Sequence, residues 1–311
     1  MDPLQNKIVL VTRHTRLQDL VARFNTVEQA KFYVEHLGAD FSDYEAEDQV
    51  YRRVILEAEQ TLSQFGRVQR LDRAFLPNFI FQSETPVVVI GQDGLVANTV
   101  KYLKGQPVIA VNPDPSRWDG VLLPFKPEDL AKIMPEALVA KRPTRSISMA
   151  FAKLNDGQTL YAVNDFYIGA KTHISARYSI SLGDTSEHHS SSGIIVSTGL
   201  GSSGWFRSVL TGACHIAGGD KVNEIEILRE KGFPWDAPYL YFSVREPFPS
   251  KVTGTDVVFG KVDQKIPLHI VSEMPDYGVI FSDGIETDYL EFNSGMEAVI
   301  QPASHHGHLI T

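Results

Sequence analysis

The spacing of hydrophobic positions changes character near the middle of the chain. Over residues 1–142, short apolar runs alternate with stretches whose apolar residues recur every three to four positions, the pattern of βαβ units. Ile8 to Thr12 reads as a strand. Thr26 to Gln29 has the form of a capping box, Val27, Ala30, Val34 and Leu37 keep helical spacing behind it, and Gly38 marks its stop. Val50, Val54, Ala58, Leu62 and Phe65 fall near one face of a second helix, ended by Gly66. Val87 to Ile90 is a continuous apolar run of the kind a buried parallel strand shows; a helix over Val96–Leu103 and a strand over Pro107 to Val111 follow. The pattern predicts an α/β domain with a mostly parallel sheet and helices on its faces.

From residue 143 onward the period is that of strands. Ser146 to Leu154, Leu160 to Val163, Ala176 to Leu182, Gly193 to Ser197, Tyr239 to Val244, Asp256 to Val262 and Pro267 to Ser272 are short apolar runs separated by turn residues. This spacing predicts a mainly β, layered and sandwich-like domain over 143–311. One helix interrupts it, over Ser203 to Ala217, directly after the glycine-serine segment Thr198–Gly204. Lys141–Thr144, basic and containing Pro143, is the candidate hinge, and the last ~20 residues are candidates to return to the first domain.

Composition narrows the class. With 311 residues, 43% hydrophobic and 22% charged, the chain can bury a core and is not a disordered polymer. A net charge of -9 argues against a general nucleic-acid binder, though it permits a small phosphate ligand served by a few local cations. Cys214 is the one cysteine, which fits a reducing compartment, and its neighbours read as a packed helix that would bury it as a small apolar residue. No basic-then-apolar leader is present, and no apolar run approaches the ~20 residues that span a bilayer, so a cytoplasmic protein without a membrane partner is expected.

Chemistry enters at four places. After the strand ending at Ile90 comes Gly91-Gln92-Asp93-Gly94: two glycines that let the backbone approach a ligand, around one carboxylate. Ligands in open α/β sheets bind at such strand ends; a plain N-cap role for Asp93 is an equal reading. Second, Ile194 to Trp205 runs from a strand through Ser197-Thr198-Gly199-Leu200-Gly201-Ser202-Ser203-Gly204 into a helix. Main-chain N–H groups at such a helix start form an anion site, to which Thr198, Ser202 and Ser203 add hydroxyls; a capped helix after a turn is the alternative. Third, Asn164-Asp165 sets an amide beside a carboxylate at a strand end, suited to a ribose or a base edge and also to a turn. Fourth, Phe281-Ser282-Asp283-Gly284 reads as a hairpin turn. Lys171, His173 and Arg177, with Arg207 farther on, are cations that would meet a phosphate or form a solvated face. His188-His189 and His305, His306 and His308 have no zinc-site spacing, and the latter fall in an expected flexible tail, so no metal ligands are assigned.

In this order the motifs resemble those of the NAD kinase family, part of a wider group with diacylglycerol and sphingosine kinases. That family carries Gly-Gly-Asp-Gly after a strand, then Asn-Glu, then Asp-Gly-(Ile/Val)-Ile-Val-Ser-Thr-Pro-Thr-Gly-Ser-Thr-Ala-Tyr, and a late Asp-Gly turn. The matching positions are Gly91 to Gly94, Asn164-Asp165, Ser192 to Trp205 and Asp283-Gly284, across about residues 85–300. The resemblance implies a two-domain kinase with its site in the cleft between domains, Mg²⁺-ATP (or polyphosphate) as donor and NAD as acceptor, and a homo-oligomer. It makes Asp93 the base for a ribose 2′-hydroxyl, gives the nucleoside to Asn164 and Asp165, and lines the dinucleotide site with Thr198, Gly201, Ser202 and Ser203. Departures point to a divergent member. Gln92 replaces a glycine, Asp165 a glutamate, Ser192 an aspartate and Trp205 a tyrosine, which either stacks on a base or packs the core. Asn112-Pro113-Asp114-Pro115-Ser116-Arg117 replaces an Asn-x-Gly; its prolines remove N–H donors, and Arg117 offers either a fork to phosphate or a surface salt bridge. A kinase for another sugar, polyol or lipid alcohol, or a nucleotide sensor without turnover, are the competing expectations. Residues 13–75, with Arg13-His14-Thr15-Arg16, match no motif of the family.

Overall fold

A computed structural model describes residues 6–218 and 223–311. The chain divides into two compact units, the first running to Arg145 and taking in His308–Thr311, the second Ser146–Gly307.

In the first unit the order is β1 (Lys7–Thr12), α1 (Arg16–Phe24), α2 (Val27–His36), α3 (Phe41–Ser63), β2 (Arg67–Asp72), β3 (Val87–Ile90), α4 (Asp93–Val100), β4 (Pro107–Val111) and α5 (Leu130–Ala137). The strands form a parallel sheet in the order β2-β1-β3-β4, with Val9 opposite Val87 and Val87 opposite Val108. Every residue of β3 is buried, which is why its sequence is apolar throughout rather than alternating. Ile8, Leu10, Val88, Ile90, Ile109 and Val111 of the sheet pack with Tyr51, Val54, Ile55, Ala58 and Leu62 of α3 and with Leu130, Ile133 and Met134 of α5. Each such burial contributes about 1.5–3 kcal/mol.

The second unit contains β5 (Thr144–Leu154), which begins just before it, then β6 (Thr159–Ala162), β7 (Asp165–Ala170), β8 (Ala176–Leu182), β9 (Thr185–Ser191), β10 (Ile194–Ser197), α6 (Trp205–Ile216) and α7 (Asn223–Lys231). It continues with β11 (Leu240–Val244), β12 (Phe259–Val262), β13 (Leu268–Ser272), β14 (Gly278–Ser282), β15 (Ile285–Glu291) and β16 (Glu297–Ile310), whose end belongs to the first unit and pairs with β4. One antiparallel sheet runs β12-β11-β10-β7-β14-β15; β16, β13, β8 and β9 are neighbours in the other, to which β5 and β6 belong. Both sheets face one core: Phe166, Ile168, Ile194, Val196, Phe242 and Ile280 from the first, Tyr178, Ile180, Ile270 and Ile300 from the second. The period of two along β7 therefore turns Asp165, Tyr167 and Gly169 to the opposite face. On the outward side of β11, Tyr241 packs with Phe206 and Leu210 of α6 and Leu228 of α7.

An α/β domain followed by a layered β domain is thus the observed fold class. Several local expectations are corrected. α1 was not expected; Thr15 caps it with a full capping box through Gln18, whereas Thr26 supplies only its side-chain half at α2. The helix expected over 96–103 begins at Asp93, because Gln92 is its cap residue. A second helix, α7, joins α6. Cys214 is half-buried, not enclosed, because this part of α6 turns much of its surface to solvent. His305, His306 and His308 lie in β16 rather than in a flexible tail, held by strand pairing at His308 and by the Tyr161 ring at His305. Among the described residues no helix is long and apolar enough to cross a membrane.

Candidate functional site

In the first unit, β3 delivers its carboxyl end to the turn 91–94. Asp93 opens α4, yet its side chain does not cap that helix. Its Oδ1 accepts the N–H of Leu122 at 2.6 Å, which ties the 120–122 turn to the end of β3. Oδ2 has no protein donor among the described residues. A Cβ on Gly94 would meet nothing within 4 Å, so no neighbouring protein atom requires a glycine there and the space beside Asp93 stays open. Gln92 is half-buried and its carbonyl accepts the N–H groups of Leu95 and Val96.

Asn112 is buried and closes its own segment: its amide donates to Trp118 O at 2.9 Å and its Oδ1 accepts from Asp114 N at 3.0 Å. Arg117 forms the salt-bridge alternative, with Nη1 2.6 Å from Asp43 Oδ1. The loop after β1 explains Arg13 to Arg16. Arg13 pairs with buried Glu47 at 2.8 Å, Arg16 pairs with Glu47 and Asp43, and the Tyr51 hydroxyl accepts from Arg13 N while donating to Ile90 O. These groups brace the loop against α3 and the end of β3.

The second unit holds a cavity of about 300 Å³ lined by Asp165, Tyr167, Lys171, Trp205, Arg245, Phe281 and Asp283, among others. The sheet builds it. Phe281 pairs with Tyr167 across β14 and β7, and their rings stack with centroids 6.2 Å apart. Trp205, at the start of α6 and 40% exposed, stacks on Tyr167 at 5.8 Å and 16°. The Tyr167 ring lies along the sheet because two glycines make room for it. A Cβ on Gly169 would come 2.7 Å from its hydroxyl, and one on Gly193 2.6 Å from its ring. Burial pushes that hydroxyl's pKa up, against the pull of Arg245.

Asp165 is 9% exposed, and no protein donor meets its carboxyl group among the described residues. Burial, and then the charge of Asp283, push its pKa up to about 7. The Asp283 carboxylate accepts main-chain N–H groups of Val163 and Asn164, at 3.0 and 2.6 Å. Asp283 itself sits at φ 55 and Gly284 at φ 69, between β14 and β15, the two left-handed residues of a tight hairpin turn.

The Ser/Thr/Gly loop is spent differently from its expected role as a set of hydroxyl donors. Thr198 and Ser202 are buried: Thr198 Oγ1 donates to Val163 O, and Ser202 Oγ donates to Gly199 O at 2.7 Å while accepting from Phe233 N. Ser203 Oγ is turned toward Leu200 O at 3.4 Å. With a main chain this crowded the loop needs its own anchors; a Cβ on Gly201 would strike Asn164 O at 2.0 Å. The loop thereby fixes Asn164, whose carbonyl also accepts Thr198 N at 2.9 Å.

The basic residues do not gather in one place. Lys171 lines the aromatic cavity, His173 is exposed on the turn beyond, and Arg177 lines another cavity with His188 and Glu273. Tyr167, Phe281 and Arg245 were not singled out as ligand residues from sequence. The period of two from Asp165 points to Tyr167, but Arg245 is about 80 positions away and only strand pairing brings it in. Among the described residues no cluster of three or more His, Cys, Asp or Glu is placed to hold a metal.

No protein-family model and no curated relative matches the sequence. Among solved structures, the chain is similar to an NAD kinase from Archaeoglobus fulgidus in complex with ATP, at 15% identity and TM-score 0.57, over 98% of this chain and 93% of that one. It is also similar to yeast NADH kinase complexed with NADH, at 14% identity and TM-score 0.58, over 100% of this chain and 84% of that one. At this identity the likeness establishes a common fold: the chain has the two-part architecture of NAD kinases.

Proposed function

We propose that the chain is an NAD-kinase-like phosphotransferase that moves the γ-phosphoryl group of ATP to a hydroxyl, the ribose 2′-hydroxyl of NAD or a related nucleotide. The observation that carries this reading is Asp93, held at the carboxyl end of β3 by Leu122, with one carboxylate oxygen uncommitted among the described residues and open space over Gly94. In this fold, two of whose members were solved with ATP and NADH, a carboxylate so placed suits proton acceptance from a hydroxyl. Asp93 takes the proton, the hydroxyl oxygen bonds to the γ-phosphorus, the bond to the β–γ bridging oxygen breaks, and ADP leaves. Positioning and charge neutralisation supply most of the rate. In the second unit, the Asp165 carboxyl suits hydrogen bonds from a nucleoside, and Trp205 and Tyr167 offer a base a flat surface. Mg²⁺ belongs to the donor complex, since it is usually bound by one or two carboxylates plus substrate phosphates rather than by a protein cage.

The test is a coupled assay with Mg²⁺-ATP and NAD that detects NADP, run on the wild type and Asp93→Asn. Asparagine keeps the acceptor for Leu122 N–H, so the variant folds with a melting temperature within about 2 °C of wild type while turnover falls by about 10²–10⁴, the span of one general base. A variant that turns over like the wild type removes Asp93 from the chemistry. Inactive wild type, with NAD binding unchanged in the variant, favours a nucleotide sensor; inactivity without NAD binding points to another alcohol as acceptor.

A further inference from the structure

The aromatic cavity is lined by two cations, Lys171 and Arg245, that have no acidic partner among the described residues. Arg245 follows β11 and is clamped at its main chain: its N–H donates to Gly193 O at 2.8 Å, and its carbonyl accepts Ser192 N at 2.9 Å. The next residue, Glu246, sits at φ 50, a left-handed conformation that a side chain tolerates only under constraint. The half-buried guanidinium lies with its Cζ 5.4 Å from the centre of the Trp205 ring. Lys171, just past β7, has its Nζ 4.8 Å from the centre of the Tyr289 ring, and its N–H donates to Tyr277 O at 2.7 Å. Among the described residues no carboxylate pairs with either cation.

The acids of the same cavity do not cancel this charge. Asp283 spends its carboxylate on the main chain of Val163 and Asn164, at the far end of β7 from Lys171. Asp165 shares that end, and its raised pKa leaves it partly neutral near pH 7. Along β7 the cavity thus grades from a hydrogen-bond-accepting end, through a flat aromatic surface, to a cationic end. Asp165, nine-tenths buried and without a hydrogen-bond partner for its carboxyl among the described residues, is the independent sign that a ligand completes the cavity.

We propose that Lys171 and Arg245 recognise the phosphate group of the nucleotide that this cavity binds, so that the cavity selects a nucleoside phosphate over a neutral nucleoside or sugar. This rests on the proposed reading that the chain binds a nucleotide. Arg245 offers a fork of N–H donors to the phosphate oxygens while its other face stays on Trp205, and Lys171 adds a mobile charge. Such discrimination arises from paired charge rather than from the stacked base, so it weakens with salt while the stacking contribution does not.

The experiment is calorimetric titration of the full chain with adenosine and with adenosine 5′-monophosphate, at low salt and at 0.5 M NaCl. The wild type binds the monophosphate at least about tenfold tighter at low salt, and the gap narrows at high salt. Arg245→Gln closes most of the gap, Arg245→Lys restores part of it, and Lys171→Gln closes a smaller part; in each, adenosine affinity stays within about threefold of wild type. Melting curves confirm that the variants are folded. Equal affinity for the two ligands in the wild type, failure of both to bind at millimolar concentration, or a preference that survives Arg245→Gln overturns the proposal. Because the readout is binding, a failed coupled assay with the preference intact removes the proposed activity and leaves this recognition standing. Turnover without the preference does the reverse.

Discussion

Asp165→Asn should make the protein more stable at alkaline pH and worse at holding its ligand. The Asp165 carboxyl is buried, meets no protein donor among the described residues, and shares its surroundings with the Asp283 carboxylate. Its pKa rises from the ordinary 3.8 to about 7. Between those values the folded protein holds a proton that the unfolded chain has released. Stability therefore falls as pH climbs from about 4 to about 7 and stays low above that. At about 1.4 kcal/mol per pH unit, the displacement sets a ceiling of about 4 kcal/mol on the cost of ionising Asp165. Water entry and relaxation lower the realised value to about 1–3 kcal/mol. Asparagine has nearly the same shape and no charge, so it removes this cost.

For a unit the size of Ser146–Gly307, 1 kcal/mol is about 3 °C in melting temperature. Thermal melts at pH 8.5 should place Asp165→Asn about 3–9 °C above wild type, and the two should converge at pH 4, where wild-type Asp165 is protonated. The same variant should bind adenosine at least about tenfold more weakly, since a hydrogen bond to a charged acceptor is worth about 1.5–3 kcal/mol. A gain of equal size at pH 4 and pH 8.5 would show that packing, not charge, is responsible. No gain at pH 8.5 would show that the carboxylate is satisfied in the folded protein, and the reading of Asp165 as a ligand-facing acceptor would fall.

Two further substitutions test the scaffold around these groups. Gly193→Ala places a Cβ 2.6 Å from the Tyr167 ring at a residue with φ 96, and the strain and ring displacement together should cost about 2–4 kcal/mol. Thermal melts and tryptophan fluorescence would register the loss of the Tyr167–Trp205 stack; an alanine variant as stable as wild type with unchanged fluorescence would refute the platform. Glu47→Gln strips the partner from Arg13, which is 8% exposed, and should lower stability in urea by about 3–5 kcal/mol at pH 7. Burial works to raise the Glu47 carboxyl, but hydrogen bonds from Arg13 and Arg16 carry it below its ordinary 4.5, so this difference is full above that pH and shrinks as acid protonates the folded state. A difference that persists unchanged at pH 3 would place the effect outside the ion pair.

The parts of the fold that were legible are those where one physical demand acts on consecutive residues. β3 is buried on both sides and so is apolar at every position, and the turn at Asp283-Gly284 needs two left-handed residues, which Asp and Gly supply. α1 was missed although Leu17, Leu20, Val21 and Phe24 keep helical spacing: it is short, nine residues, and its apolar face packs with Ala30, Val34 and Phe41 from α2 and α3 rather than against the sheet. β9 was missed because it has no apolar period. Its Thr-Ser-Glu-His-His-Ser-Ser sequence buries only His189 and Ser191, and those two are satisfied by side-chain partners, Glu187 and Tyr178, rather than by apolar contact. The carboxylates of the candidate site were legible because they sit in turns at strand ends. Arg245 was not, because its place in the cavity depends on register across β7, β10 and β11, which no local pattern encodes.

The departures from the kinase motifs acquire a common physical sense once partners are assigned. Segment 112–117 closes on itself: Asn112 binds Asp114 and Trp118, the Asp114 carboxylate accepts the Ser116 N–H and hydroxyl, and Arg117 is drawn to Asp43 on α3. With two prolines contributing no N–H, few donors remain there to meet a phosphate. The hydroxyls of Thr198 and Ser202 are likewise committed to main-chain carbonyls. A nucleotide on this fold must still have its phosphates neutralised, because an anion brought into a cavity without compensating charge loses more hydration than stacking returns. Lys171 and Arg245 are cations in a ligand-sized cavity, and among the described residues no acid pairs with them. Within the second unit the hydroxyls of Thr198 and Ser202 are committed to the main chain while Lys171 and Arg245 line the cavity, so a phosphate bound there would be met by these cations rather than by the loop that the motifs suggest.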